Sequence, residues 1–381
     1  MKSIETPDVL VSDKAIRTPS KTEVTTVLGD IKNFDPVRNA VDPKAYDEYR
    51  RMWDATSKLE METNFPLQLD FELNYSCNFS CPMCTWNAET TSRFGKDKWF
   101  PFEVWTELID EAISKGLKSI RLNQINEPLI RGDISKFVKY ARDAGILDIY
   151  FSTNGSLLTE RVSRELIESG LMRIQVSLDA ATKETYDKIR IGGNYHRILK
   201  NIDRFLEIRD EMGSQLPTLR VNFVKTPENV HELDDFVKIW EDKADFVGVQ
   251  DLLGIVEAFD KSKKETYDAA KEDFKCAQPF QHMTVRSNGH ILPCCSFFGP
   301  DTPVAKLKHN VEGVEMIGED GILVNEETQE KISKLMVMSI EEAWNCEEMR
   351  FIRSIHKMGE YWKHPVCKRC VQSTSHVDDT Q

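Results

Sequence analysis

The segment LQLDFELNYSCNFSCPMCTW occupies residues 67–86 and changes character halfway. Its first half alternates as a strand does: Gln68, Asp70, Glu72 and Asn74 fall on one face, Leu69, Phe71 and Leu73 on the other. Its second half sets Cys77, Cys81 and Cys84 at intervals of four and then three, directly after that strand. Five more strand-like pieces follow downstream: SIRLN, DIYFSTN, RIQVSLD, LRVNFVK and DFVGVQDL. Between most of them lie helical runs such as FEVWTELIDEAISKG, ISKFVKYARDAG and TERVSRELIESG, several closing on the glycine that ends helices in a left-handed turn. Six such βα repeats imply a parallel sheet with right-handed crossovers. Buried parallel strands usually read as unbroken apolar runs, yet these keep a polar face: Arg121 with Asn123, Tyr150 with Ser152 and Asn154, Arg220 with Asn222. A closed eight-stranded barrel fills its middle with branched apolar side chains. The pattern here therefore predicts an open, wet barrel, with an antiparallel sheet solvated on one face as the rival.

Outward from this core the chain is plainer. Residues 1 to about 40 are polar and lack periodicity, which predicts an extended or partly disordered arm. DPKAYDEYRRMWDATSKL, residues 42–59, reads as one amphipathic helix with Asp42 as N-cap and Pro43 in its first turn. Beyond residue 255 the βα rhythm stops. SKKETYDAAKED reads as a polar helix or linker, HMTVRSNGHILPCC as a hairpin turning at SNG, and residues 301–338 as a loop-rich insertion. SIEEAWNCEEMRFIRSIHK reads as a helix capped by Ser339, with Glu342 three residues on. Three regions are expected: an N-terminal extension with one helix (1–66), a barrel (67–255) and a small C-terminal domain (256–381).

With 50 Lys and Arg against 63 Asp and Glu the net charge is −13, which argues against a nucleic-acid partner. The N-terminus has no apolar signal-peptide core and no run reaches the roughly 20 apolar residues of a membrane span. A cytoplasmic protein with no membrane partner is expected. Nine cysteines in such a chain point to metal binding or chemistry rather than to a disulfide framework. The eight histidines form no ligand-like pair.

Three thiolates after the first barrel strand, at the mouth where βα barrels place their chemistry, can hold one corner of an iron–sulfur cube. A [4Fe–4S] cluster normally takes four cysteines, so three leave one iron open. A structural zinc site borrowing a fourth ligand remains the alternative. On these residues the chain resembles the radical S-adenosylmethionine (SAM) superfamily, whose mark is C-x3-C-x2-C after the first strand of a partial (β/α)6, open TIM-like barrel. The resemblance implies that Cys77, Cys81 and Cys84 hold a [4Fe–4S] cluster whose open iron chelates SAM. A 5′-deoxyadenosyl radical would then be formed with an electron from a flavodoxin- or ferredoxin-type donor. NQINEP (residues 123–128) stands where the family has its Gly-Gly-Glu-Pro-like stretch and keeps Glu127 and Pro128, with other residues in place of the glycines. FSTNGSLL resembles the Thr-Asn-Gly segment, with Asn154, and VSLDAATKETYDKIR supplies Ser177, Asp179 and Arg190. The resemblance implies SAM contacts for Glu127, Asn154, Ser177, Asp179 and Arg190, a guanidinium being suited to a carboxylate.

Cys276, Cys294, Cys367 and Cys370 form a second set, the first two separated by seventeen residues and the last two a C-x-x-C. This spacing resembles the Twitch version of the SPASM extension, in which four cysteines hold one auxiliary [4Fe–4S] cluster. A zinc ribbon is the alternative. Cys295 and Cys346 are left over: Cys295 as a buried small hydrophobe or an alternative ligand, Cys346 as a packing residue on a helix face, or one of them, Cys346 above all, as a hydrogen-atom donor.

The resemblance implies hydrogen abstraction from a substrate carbon. The polar inner strand face (Glu72, Arg121, Asn123, Tyr150, Gln175, Arg220, Asn222) suits a small polar substrate. Oxidation of a sugar-like or aminocyclitol alcohol, with the auxiliary cluster accepting an electron, is the leading expectation, and Glu72 is the candidate base. A radical peptide maturase or epimerase is the alternative enzyme. A zinc-binding scaffold is the alternative from another class.

Overall fold

The structure is a computed structural model that describes residues 15–16, 25–28, 35–84, 99–253, 274–295, 303–308, 334–372 and 374–375. The segment SKKETYDAAKED and much of 301–338 lie outside the described residues. The parallel heart of the molecule is six strands in chain order: β3 (Gln68–Phe71), β4 (Ser119–Arg121), β5 (Asp148–Thr153), β6 (Arg173–Ser177), β7 (Thr218–Lys225) and β8 (Phe246–Leu253). Each neighbouring pair is parallel, and β8 does not return to β3, so the barrel is open, as expected. The antiparallel alternative is excluded by this pairing.

The crossovers are α3 (Phe102–Ser114), α4 (Ile134–Asp143), α5 (Glu160–Ser169), α6 (Lys183–Ile189) with α7 (Tyr195–Glu211), and α8 (Leu233–Trp240). Their apolar stripes cover the outer face of the sheet. Leu69, Phe71, Ile120, Ile149, Phe151, Ile174, Val176, Leu219 and Val221 are buried beneath them. Phe71, Trp105 and Phe137 meet edge to face between β3 and the first two of these helices, with centroids 5.9 and 4.9 Å apart. Thr159 caps α5, Thr182 caps α6 and Asn194 caps α7 through their side chains, and Gly170 ends α5 at φ +84°.

The N-terminal extension carries more than the expected helix. Two short strands, β1 (Ala15–Ile16) and β2 (Thr25–Leu28), pair with each other, and β2 runs antiparallel along β8. The expectation of an unstructured arm missed them because neither segment shows the alternation of a half-buried strand. Helix α1 (Pro36–Ala40) leads into α2 (Pro43–Ser57), capped by Asp42 with Pro43 in its first turn. Helix α2 lays Tyr46 and Tyr49 over the N-terminal ends of the barrel strands.

On the opposite edge, β9 (His282–Val285) lies parallel to β3, and β10 (His290–Leu292) returns antiparallel to it. Strands β11 (Ala305–Leu307) and β12 (Val337–Met338) extend the sheet, while β13 (Thr374–Ser375) pairs with β8. The expected hairpin therefore exists and continues the barrel sheet. Helix α9 (Gln278–Gln281) precedes it; α10 (Ile340–Trp344), α11 (Glu347–Lys357) and α12 (Pro365–Gln372) follow. Ser339 and Glu342 form the expected capping box, but Cys346 breaks the predicted single helix into α10 and α11 by serving as N-cap of the second. Among the described residues no helix is long and apolar enough to cross a membrane.

Candidate active site

The loop after β3 brings Cys77, Cys81 and Cys84 within electrostatic reach of one another. Burial, more than any neighbour, pushes the Cys77 thiol up to about 12. Such a thiol becomes a thiolate only when a metal supplies the missing positive charge, which is the chemistry of a ligand site. The loop is held in shape by its surroundings. Phe79 N–H donates to Cys77 Sγ at 3.5 Å, Ser80 N–H donates to the Ile191 carbonyl at 2.9 Å, and Asn78 exchanges side-chain hydrogen bonds with Asn154 and Ser156 at 2.9 Å each.

Arg190 joins two expected residues. Its guanidinium pairs with the fully buried Asp179 and donates to Cys81 Sγ at 3.7 Å. Burial works to lower the Arg190 pKa, but Asp179 and then Cys81 outweigh it and hold the group above its ordinary value. Asp179 sits at φ +62°, accepts Val224 N–H at 3.0 Å, and its own carbonyl takes the Asn229 side chain at 2.8 Å. A non-glycine residue held in the left-handed region is unusual and clusters at functional sites. Ser177 stands beside Asn222 in the β6–β7 register.

Glu127 is buried and accepts from Thr153 Oγ1 at 2.6 Å, Asn154 N at 2.7 Å and Leu129 N at 3.1 Å. It thus ties the end of β4 to the end of β5. Burial raises its pKa to about 7, with Thr153 the first group opposing the rise. The structure brings Glu127, Asn154, Asp179 and Arg190 to the strand ends that carry the cysteine loop.

Several residues of this mouth were not read from the sequence. Asn78 is one; the loop after Arg190 is another. Gly192 lies at φ +94°, and a Cβ there would stand 3.1 Å from the Asn78 carbonyl oxygen. A Cβ on Gly193 would stand 2.5 Å from the Tyr186 hydroxyl. The adjacent glycines in RIGG were the available signal: they let that loop press against the cysteine loop.

The second thiol set lies beside the barrel wall. Cys276 feels Cys370 first, then Cys367 and Cys295. Burial likewise raises Cys367 to about 12, so this set too awaits a cation. Cys276 N–H donates to His356 Nδ1 at 3.2 Å and Cys367 N–H to His364 Nδ1 at 3.3 Å. The Cys294 carbonyl accepts from Thr284 Oγ1 at 3.1 Å. Cys276, Cys367 and Cys370 thus lie within electrostatic reach of one another, with Cys295 beside Cys276. Cys295 reaches toward the barrel, beside His282 and Arg121. His282 in turn lies 3.7 Å from Asp70.

Two expectations are corrected by the geometry. Cys346, put forward as the hydrogen donor, caps α11 at the barrel's N-terminal end. Its neighbours Trp344 and Asn345 donate to the Thr63 and Asn64 carbonyls, ahead of β3, at 2.7 and 3.0 Å. His356, which touches Cys276, lies at the far end of the same helix, so Cys346 is remote from both thiol sets. Of the two leftover cysteines, Cys295 is the one at the barrel wall. Glu72, put forward as a base, is fully buried and pairs with Arg286 at 3.2 Å while accepting from the Ser287 hydroxyl at 3.2 Å. It fastens β3 to the C-terminal hairpin, its carboxylate oxygens taken up by Arg286 and Ser287.

A parallel open barrel with a three-cysteine loop at its mouth and a second thiol set on its flank is the arrangement expected from the resemblance to the radical SAM class. Family models agree: that of the radical SAM superfamily matches residues 71–238, and that of the SPASM iron–sulfur cluster-binding domain matches residues 276–371. The chain belongs to the radical SAM superfamily, in its SPASM-bearing branch, and the implied cofactors are SAM, its [4Fe–4S] cluster and auxiliary iron–sulfur binding. A probable GTP 3′,8-cyclase of Methanococcus maripaludis is 30% identical over 157 residues, 41% of this chain and 49% of its own. The mycofactocin maturase MftC of Mycolicibacterium smegmatis is 27% identical over 201 residues, 52% of this chain and 45% of its own. The chain thus spans about half the length of the curated relatives it matches. The crystal structure of BtrN in complex with AdoMet and 2-DOIA is 18% identical, covering 81% of this chain and 94% of that one at a TM-score of 0.45.

Proposed function

We propose that this protein is a radical SAM oxidoreductase acting on a compact polar substrate held inside the barrel. The observation that carries the reading is the stacking of three features along one axis. The Cys77–Cys81–Cys84 loop is locked to Arg190 and Asp179 at the mouth, the barrel interior below it is polar, and Cys295 links the second thiol set to that interior. When bound, the two clusters and SAM would supply removal of a hydrogen atom from carbon and uptake of an electron; with the hydroxyl proton lost to water, the net change is alcohol-to-ketone oxidation.

The chain's own residues bind, orient and exclude. Arg190 and Ser177, with Asp179 close by, would engage the SAM carboxylate or ribose, and Glu127 would meet its amino group. Gln175, Arg220 and Asn222 offer hydrogen bonds to a hydroxylated ligand. Helix α2 and the Arg173–Asp148 pair, at 3.0 Å, line the floor. We place the protein in the cytoplasm with a flavodoxin- or ferredoxin-type reductant. The peptide-maturase reading draws on the mycofactocin relative. A barrel cavity of about 260 Å³ favours a small molecule over a peptide.

The test is anaerobic reconstitution, then SAM and dithionite with a panel of small polyols, sugar acids and sugar phosphates. 5′-Deoxyadenosine is expected with every reduced sample, and a product two mass units lighter with one substrate class. A protein that purifies colourless with zinc sinks the reading in favour of a scaffold. A product of unchanged mass that carries solvent deuterium supports epimerisation instead.

A further inference from the structure

The cavity between α2 and the barrel floor measures about 260 Å³ and is lined by residues including Gln68, Tyr150, Arg173, Gln175 and Arg220. Three guanidiniums and two carboxylates, Asp35 and Asp148, face it. Their pairing is uneven. Arg173 takes both carboxylates, Asp148 at 3.0 Å and Asp35 at 3.8 Å. Arg50 is at the exposed rim, stacked over the Tyr49 and Trp53 rings at 5.6 and 6.0 Å. Arg220 has no ion-pair partner among the described residues. Its Nε donates to Asn222 Oδ1 at 2.7 Å, which leaves the two terminal nitrogens toward the cavity.

The sheet is shaped around this arginine. Gly248, opposite Asn222 in the β7–β8 register, leaves a recess: a Cβ there would stand 2.4 Å from Asn222 Oδ1 and 3.0 Å from Arg220 Nε. A single methyl group would therefore displace the arginine and the amide that aims it. A half-buried guanidinium without a counter-charge gains less than a paired one and is costly to maintain for stability alone. Two parallel donors in a fixed plane are what a carboxylate or phosphate recognises.

We propose that Arg220 is the anion receptor of the substrate site, so that the substrate is a compact hydroxylated molecule bearing a carboxylate or phosphate group. The inference rests on the reading of the barrel as a substrate chamber and narrows it to acidic substrates. Burial, chiefly, holds the Arg220 pKa down at about 10, with Arg121 and Arg173 adding to the effect and Tyr150 opposing it. A docked anion relieves that destabilised charge. Tyr150, Gln68 and Gln175 are at hand for hydroxyls.

The full-length reconstituted protein is titrated with inorganic phosphate and, separately, with malonate, each against sodium chloride at matched ionic strength, by thermal shift and calorimetry. Saturable binding of at least one probe is expected; phosphate alone points to a phosphorylated substrate, malonate alone to a carboxylate. Arg220→Gln should weaken that binding at least about tenfold, and Arg220→Lys by less. Gly248→Ala keeps the charge but moves it, and should weaken binding in the same direction; it decides the matter if Arg220→Gln does not fold. Chloride-like behaviour of both probes, or wild-type affinity in the folded variants, overturns the proposal. SAM cleavage by the wild type separates the two levels. Cleavage without anion binding removes only the receptor, whereas anion binding without iron or cleavage removes the radical SAM reading and leaves the receptor standing.

Discussion

Arg190 serves both the thiol loop and the strand end: one nitrogen reaches Cys81 and another reaches Asp179. Lysine keeps the charge but cannot span both partners. Arg190→Lys should therefore retain its iron while its SAM affinity falls at least about tenfold. Equilibrium binding of SAM, beside iron analysis, checks this; unchanged affinity would place Arg190 outside the SAM contacts. A second residue speaks through pH. His290 is buried beside Arg286 and Lys306, and burial first, then these cations, lowers its pKa from 6.5 to about 3. The unfolded chain thus binds this proton first as pH falls. The stabilisation from neutral His290 is complete above pH 6.5 and shrinks as pH drops toward 3. Between pH 7 and 5 the site should cost roughly 1–2 kcal/mol of stability, and His290→Leu should flatten that part of the denaturation profile.

The element that most changes the picture is β9. Its polar positions, His282 and Thr284, with Arg286 just beyond its end, alternate with Met283 and Val285 in the same way as the barrel strands. The alternation and the SNG turn mark a hairpin, but nothing local shows that β9 will lie parallel to β3, some two hundred residues earlier. The six barrel strands and the cysteine loop were legible because period-two patterning and thiol spacing are local signals. The role of Glu72 was not, because its partner Arg286 comes from a distant segment. This pair gives a sharp test. Arg286→Leu strands a buried carboxylate and should cost about 3–5 kcal/mol, whereas the double change Glu72→Leu with Arg286→Leu should recover most of it. Urea denaturation of the three proteins measures this. Full stability of Arg286→Leu with loss of turnover in Glu72→Gln would restore Glu72 as a base.

At the scale of the whole molecule, two thiol sets imply about eight irons per chain. Cys276→Ala combined with Cys367→Ala should lower the content to about four and leave SAM cleavage in place, because the first loop is held by Arg190, Asn154 and, through Tyr75, Arg286, none of which depends on the two substituted thiols. Loss of all iron would show the two sites to assemble only together. Since β3 is flanked by β4 on one side and β9 on the other, excising the C-terminal region would strip the partner from a strand at the centre of the catalytic half. The bared main-chain groups would then invite self-association. The two iron-bearing halves are stitched along a common seam, and a fragment ending near residue 255 should precipitate rather than survive as a lone catalytic module.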